Sequence, residues 1–301
     1  MRISFGCPVS GAWAEPSSVT RVATRAEQLG YHSLWSFQRL MVGTDQDLAP
    51  VYRSVLDPLL TLAYAAAHTA TIRLGVAVIN LPYVSPAYLA KQAGTLDVLS
   101  GGRADLGLGT GWSEVEFAAT NSDPKPRGRR TEEYLSVLRT LWSGETASFD
   151  GEFYTVPPSV MAPAPVQPGG PPILLGGSAD VALRRAGRLA DGWVSSSRAT
   201  AADIARGAQI VRQAAADAGR DPAAMRIVVR GVVQAGRRDE AMPLSGSWAQ
   251  IRDGADRLAE AGVTELFYDL NWDPQVGSPD ADPLAARDRA EEILAELAPK
   301  G

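Results

Sequence analysis

Hydrophobic positions along the chain alternate between two patterns. Short, nearly unbroken apolar runs at Arg2–Gly6, Ser33–Ser36, Ile72–Ile79, Arg103–Leu108, Ile173–Leu175, Trp193–Ser195, Arg226–Val233 and Thr264–Leu270 read as strands covered on both faces. Between them lie longer stretches with apolar residues three and four apart, the mark of amphipathic helices. Val19, Val22, Ala23, Ala26 and Leu29 predict a helix capped by Ser17 or Ser18 and stopped at Gly30. Asp57–Thr69 predicts a second. Ser85-Pro86 opens a third, with Leu89, Ala93, Leu96 and Leu99 as its buried stripe and Gly101-Gly102 as its stop. Thr131–Trp142, Ala179–Leu189, Ala201–Ala218, Ser247–Ala261 and a stretch from Asp282-Pro283 complete the helical set.

One interruption breaks this rhythm. Ala147–Val156 forms two strand-like arms about Asp150-Gly151, a hairpin signal. Pro157–Pro172 follows, with seven prolines that forbid a helix or a central strand. Eight strands, each followed by a helix, predict a single α/β domain over residues 1–301, a closed (β/α)8 barrel carrying the hairpin and Pro-rich segment as an insertion. No glycine-rich dinucleotide fingerprint follows the first strand, which weighs against an open doubly wound sheet.

Composition narrows the chemistry. The chain holds one cysteine (Cys7), two histidines (His32 and His68) and three lysines (Lys91, Lys125 and Lys300). Internal disulfides and cysteine metal sites are therefore excluded, most zinc centres lack ligands, and Schiff-base chemistry has little room, so no metal is expected. A formal net charge of −5 argues against nucleic acid or an anionic membrane surface as partner. No apolar run reaches the roughly 20 residues of a membrane helix, and the first residues enter a strand without an export signal. A cytoplasmic location is the expectation.

In such a barrel, ligands bind at the C-terminal ends of the strands. Four of the seven tryptophans fall there, Trp13, Trp35, Trp112 and Trp272. They suit a flat conjugated ligand, or else plug the barrel. Gly107-Leu-Gly109-Thr110-Gly111 follows the fourth strand. Gly176-Gly177-Ser178 follows the fifth and opens a helix, where backbone N–H groups would cradle a phosphate, or simply make a tight turn. Arg39 would bind an anion or make a surface ion pair. Arg230 and Asp269, on neighbouring strands, would pair with each other.

Several of these segments together resemble the luciferase-like monooxygenase superfamily: Leu74-Gly75, Thr95–Arg103, Gly107–Trp112, Gly176–Ser178 followed by Ala182–Ala186, and Leu189–Trp193. Gly30–Trp35 and Arg127–Arg130 fit the same pattern, so the likeness runs along nearly the whole chain. Within the superfamily the sequence is most similar to actinobacterial F420-dependent oxidoreductases. The resemblance implies a barrel that binds coenzyme F420, with FMN as the alternative. It places the cofactor phosphate on Gly176, Gly177 and Ser178, and the ring against the end of strand 3, where a non-prolyl cis peptide would join Ala77 and Val78. Asn80, Gly109, Thr110 and Gly111 complete the expected cofactor set. Trp13, Trp35, Gln38, Arg39, Trp112, Arg230 and Asp269 form the expected substrate pocket. A homodimer is also implied.

The departures carry weight. The Asp-His pair of many F420-dependent members reads Gln38-Arg39 here, and the glutamate that some dehydrogenases carry after the Gly-Thr-Gly reads Trp112. Both argue against alcohol oxidation, and no residue stands out as the acid or base. His32 and His68 fall outside the mouth, and Cys7 has no evident base. The expectation is an oxidoreductase passing hydride between F420 and a small organic substrate, as in reduction of an activated C=C or C=N bond. The alternatives are an FMN monooxygenase supplied by a separate reductase, and a non-catalytic flavin- or deazaflavin-binding barrel.

Overall fold

The computed structural model describes residues 1–300. The chain opens with β1 (Arg2–Gly6), α1 (Pro16–Gln28), β2 (Ser33–Ser36), α2 (Pro58–Ala66), β3 (Arg73–Asn80), α3 (Pro86–Ser100) and β4 (Ala104–Gly109). It continues with α4 (Glu114–Ala119), α5 (Arg127–Leu141), β5 (Ala147–Asp150), β6 (Thr155–Ser159), β7 (Ile173–Gly176), α6 (Asp180–Leu189), β8 (Gly192–Val194) and α7 (Ala201–Asp217). The last elements are β9 (Arg226–Val232), β10 (Gln234–Ala235), β11 (Ser245–Gly246), α8 (Trp248–Glu260), β12 (Glu265–Asp269) and α9 (Pro283–Glu296). Eight strands close in the order β1-β12-β9-β8-β7-β4-β3-β2, all pairings parallel. This is the (β/α)8 barrel expected from the alternation of patterns.

Three local expectations change. The first helix starts one residue before Ser17: Glu15 is its N-cap and Pro16 its first residue, while Ser17 Oγ donates to Glu15 Oε1 at 2.6 Å. Leu99 is not part of the buried stripe of α3; it is 66% exposed, one residue before the helix end at Ser100. β6 runs through Pro157 and Pro158, which two-stranded edge pairing with β5 tolerates because few of its N–H groups are needed. The short helix α4 and the β10–β11 pair were not expected; each is too brief to impose a period on the sequence.

The core has two shells. Helices pack on the outside of the barrel, whereas Trp35, Ala77, Leu174, Val194, Val228 and Phe267 fill its inside. Trp35 stacks on Phe267 with ring centroids 5.5 Å apart and planes at 20°. Gly75 makes room for that indole: a Cβ there would lie 2.5 Å from Trp35 Cε3.

Ions floor the barrel at the N-terminal ends of the strands. Asp105 accepts from Arg73 and Arg226, and Arg226 Nη2 also donates to Glu265 at 2.9 Å. Glu265 Oε1 takes Ser4, Ser33 and Trp35 Nε1, the last at 2.7 Å. Burial alone would raise both carboxyls. The guanidinium groups and these hydrogen bonds outweigh it and hold Asp105 and Glu265 below the ordinary carboxylate range. No helix among the described residues is long and apolar enough to cross a membrane.

Candidate active site

The opposite rim is built from loops after the strands. Two groups of the expected residues meet there. On one side, the Ala77–Val78 peptide is cis, as the resemblance implies. Val78 stands between two glycines, Gly109 and Gly176. A Cβ at Gly109 would come within 2.6 Å of Val78 Cγ2 and 3.2 Å of Asn80 Oδ1, and one at Gly176 within 3.3 Å of Val78 Cγ1. Glycine at both positions therefore brings the ends of β3, β4 and β7 together around one half-buried side chain. Gln38 fixes this edge by accepting from Asn80 N at 2.8 Å and Asn80 Nδ2 at 3.2 Å. Half-buried Thr110 and positive-φ Gly111 continue the rim, with Arg127 Nη1 donating to the Gly111 carbonyl at 3.2 Å.

Gly177 has φ +130°, a backbone conformation open mainly to glycine, and leads into α6. That helix has Ala179 as N-cap with no side chain capping its amides. In the first turn Ala182 N turns back to the Ala179 carbonyl, and the N–H groups of Asp180 and Val181 have no partner among the described residues, the requirement for holding an anion. Gly177 is held from behind, where Trp193 Nε1 donates to its carbonyl at 2.8 Å. Asp180, in the same turn, is engaged by Arg206 and Arg184.

On the other side lie the aromatic and ionic residues. Arg39 is 6% exposed and pairs with Glu116, Nη1 to Oε2 at 2.7 Å. Its Cζ lies 4.6 Å from the Tyr52 ring centroid and 4.4 Å from that of Trp112, so the guanidinium packs against both rings, which meet each other edge-on with centroids 5.9 Å apart. Arg39 is thus a buried, paired cation and not a surface one. Arg230 Nε donates to Asp269 Oδ2 at 2.6 Å, the pairing anticipated from adjacent strands. Its Cζ sits 4.5 Å over Phe37 and 6.0 Å from Trp272. Trp112 is 52% exposed and, with Tyr52, Ser196, Ser197 and Arg198, lines a cavity of about 430 Å³.

Two expected pocket residues are elsewhere. Trp35 is 1% exposed and lies inside the barrel, with its indole N–H turned to Glu265 at the floor. Its place near the end of a short strand suggests the mouth, but its side chain points down the axis to Glu265. Trp13 is wholly buried beneath the rim, where its Nε1 donates to Asn271 Oδ1 at 3.1 Å. Both are packing residues.

Other titratable groups stand apart from the mouth. His32 adjoins the floor, beside Arg2 and Glu265; burial first, then the cations Arg2 and Arg226, holds its imidazole below the ordinary value. His68 caps the end of α2 with Nδ1 2.8 Å from the Tyr64 carbonyl. Burial pushes the Cys7 thiol up to about 12, which leaves it without thiolate character near neutrality.

Sequence reasoning missed Glu116, Tyr52 and Phe37. Ser113 and Glu116 carry the spacing of a capping box, and Ser113 Oγ does accept from Glu116 N, at 3.5 Å. The carboxylate, however, turns away to Arg39 and to Leu40 N at 2.7 Å. The Ser-x-x-Glu signal was present, and it hid a tertiary role behind a local one. Tyr52 sits in a long loop whose pattern carries no period.

Comparison with known proteins places the geometry in context. The family model described as luciferase-like monooxygenase matches residues 5–244. An uncharacterised protein of Mycobacterium tuberculosis is 35% identical over 243 residues, 80% of this chain and 76% of its own length. The F420-dependent hydroxymycolic acid dehydrogenase of the same organism is 30% identical over 302 aligned positions, 88% of this chain and 80% of its own. Among solved structures, monooxygenase RslO1 from Streptomyces bottropensis superposes with a TM-score of 0.81 over 99% of this chain and 98% of that one, at 19% identity, a likeness of fold.

Proposed function

The chain belongs to the luciferase-like monooxygenase family, and from that premise we propose that it is an F420-dependent oxidoreductase that reduces a small organic substrate. The observation that carries this reading is the anion cradle at Gly176–Ser178 set beside Val78 on one rim. It takes its cofactor from the F420-dependent relative, which is 30% identical and aligned over 88% of the chain.

The residues present fit the group. The uncapped start of α6 would hold a cofactor phosphate without steric cost at Gly176 and Gly177. Val78, Asn80, Gly109, Thr110 and Gly111 would lie along the deazaflavin. Arg127, which forms no ion pair among the described residues and adjoins Gly111, would meet an acidic tail. When bound, the deazaflavin supplies a hydride, and the protein's part is to orient and to exclude water.

Around that cradle the side chains are paired. Arg39 and Arg230 have carboxylate partners, the histidines lie elsewhere and Cys7 is inert. This favours a reaction that asks little of protein acids and bases: reduction of an activated C=C or C=N bond, with water or a hydroxyl delivering the proton. A two-component monooxygenase using reduced FMN from a partner reductase is the second reading, and the family description favours it. We further propose a homodimer formed through α2, which presents Leu60 at 71% exposure. Light scattering would show twice the monomer mass, and a monomer would contradict it.

Turnover tests the reaction. Reduced F420 mixed with the protein and a panel of enones and imines should be oxidised in proportion to saturated product. Oxygen-dependent incorporation of one oxygen atom, with reduced FMN alone as donor, would contradict this reading.

A further inference from the structure

The rim facing the cradle contains donors with nothing to donate to. Arg230 commits Nε to Asp269, but its Nη2 is buried without a partner among the described residues, and so is Nε1 of Trp272. Asp269 and Asn271 beside them are engaged elsewhere. Asp269 Oδ1 accepts from Asn271 N at 3.0 Å and Nδ2 at 2.9 Å, and Asn271 Oδ1 accepts from Trp13 Nε1 and Ser10 N. Guanidinium and indole nitrogens can only donate, so the missing partner is an acceptor. A buried donor left unmatched is unfavourable, and natural sites keep such groups where a ligand completes them.

The two residues are neighbours, with Arg230 Cζ 6.0 Å from the Trp272 ring centroid. Neither is sealed in the core: the Arg230 side chain is 10% exposed and Trp272 is half-buried. Aromatic faces flank them. Phe37 lies 4.5 Å below Arg230 Cζ, and Tyr52, which lines the 430 Å³ cavity, stands edge-on to Trp272 at 5.4 Å. Flat walls beside these neighbouring donors favour a planar molecule bearing an sp² oxygen.

We propose that Arg230 and Trp272 form the oxygen-binding subsite for the substrate, which is a conjugated carbonyl or carboxylate compound carrying its reducible bond beside that oxygen. This deepens the reductase reading above and rests on it for the chemistry, but the subsite itself is a property of binding. Donors on the oxygen would also draw electron density from the conjugated bond, so Arg230 and Trp272 serve as positioning and specificity-determining residues.

Calorimetric titration of the full chain, without added cofactor, tests the subsite apart from the reaction. The probes are benzylideneacetone (neutral ketone), cinnamate (anionic acid) and β-methylstyrene, which has a similar flat frame and no oxygen. The expected result is at least about tenfold tighter binding of the ketone, the acid or both than of β-methylstyrene. Trp272→Phe keeps the ring and removes only the N–H, and Arg230→Lys keeps the charge beside Asp269. Each should cut that advantage to about threefold or less while leaving β-methylstyrene unchanged. Equal affinities for all three probes, or an advantage that survives in both variants, would overturn the proposal. A failure to bind F420 would sink the reductase reading and leave these titrations intact.

Discussion

Arg39 and Glu116 form an ion pair at 2.7 Å with side chains only 3% and 1% exposed, although one follows β2 and the other lies in α4. The pair ties the loop after β2 to the loop after β4 and fixes Trp112 over the mouth. A charge left alone in such a place is costly. Glu116→Gln is expected to lower unfolding free energy by about 3–5 kcal/mol, whereas Arg39→Met combined with Glu116→Leu should recover most of it. Urea denaturation of the parent and the two variants measures both numbers, and an unaffected single variant would show the pair to be solvated.

Trp35 supports the barrel from inside. Trp35→Ala is expected to cost about 3–5 kcal/mol through the cavity it opens against Phe267. Trp35→Phe should cost less, through the lost bond to Glu265. Neither should change affinity for a substrate or product analogue measured on the folded protein. A large affinity change with unchanged stability would return Trp35 to the pocket.

These two tryptophan-bearing regions show how far the pattern alone reaches. The barrel was legible because two-sided burial makes its strands apolar runs, and because crossover helices keep a helical period, as in α1 with Val19, Val22, Ala23 and Ala26 buried together. The glycine rim was legible because Gly109 and Gly177 answer to steric needs that a larger residue does not meet, and Gly176 to a tight approach of Val78. Side-chain direction was not. The sequence positions of Trp35 and Trp13 put them near the mouth, but whether an indole points up, down or inward is settled by neighbours such as Glu265 and Asn271, which lie more than two hundred residues away. Glu116 was obscured for the same reason, its partner Arg39 being distant in sequence.

The floor network makes stability depend on acidity. Asp105 and Glu265 are held below the ordinary carboxylate range in the folded chain, so the folded state binds fewer protons than the unfolded one. Their contribution is complete above about pH 5, where unfolded carboxyls are ionised, and is lost as pH falls through the lower folded values. The urea midpoint should stay level from neutrality down to about pH 5 and then drop. Asp105→Asn should start lower and lose less between about pH 4 and pH 2. Parallel profiles would assign acid lability to other groups.

Gly177 offers a test of the cradle. At φ +130° an L side chain is strained, and its Cβ would lie 2.8 Å from that of Ala182. Gly177→Ala is expected to cost about 1–3 kcal/mol of stability and, if the proposed cradle holds the phosphate, to weaken F420 binding by about tenfold or more, because the loop must shift there. Unchanged F420 affinity in a folded variant would place the phosphate elsewhere.

The cofactor itself is the hinge of the account. Purified protein titrated with F420 and, separately, with FMN, each followed by fluorescence, measures it directly. The account predicts saturable F420 binding in the micromolar range or tighter, with FMN at least about tenfold weaker. Submicromolar FMN binding with none for F420 would contradict it.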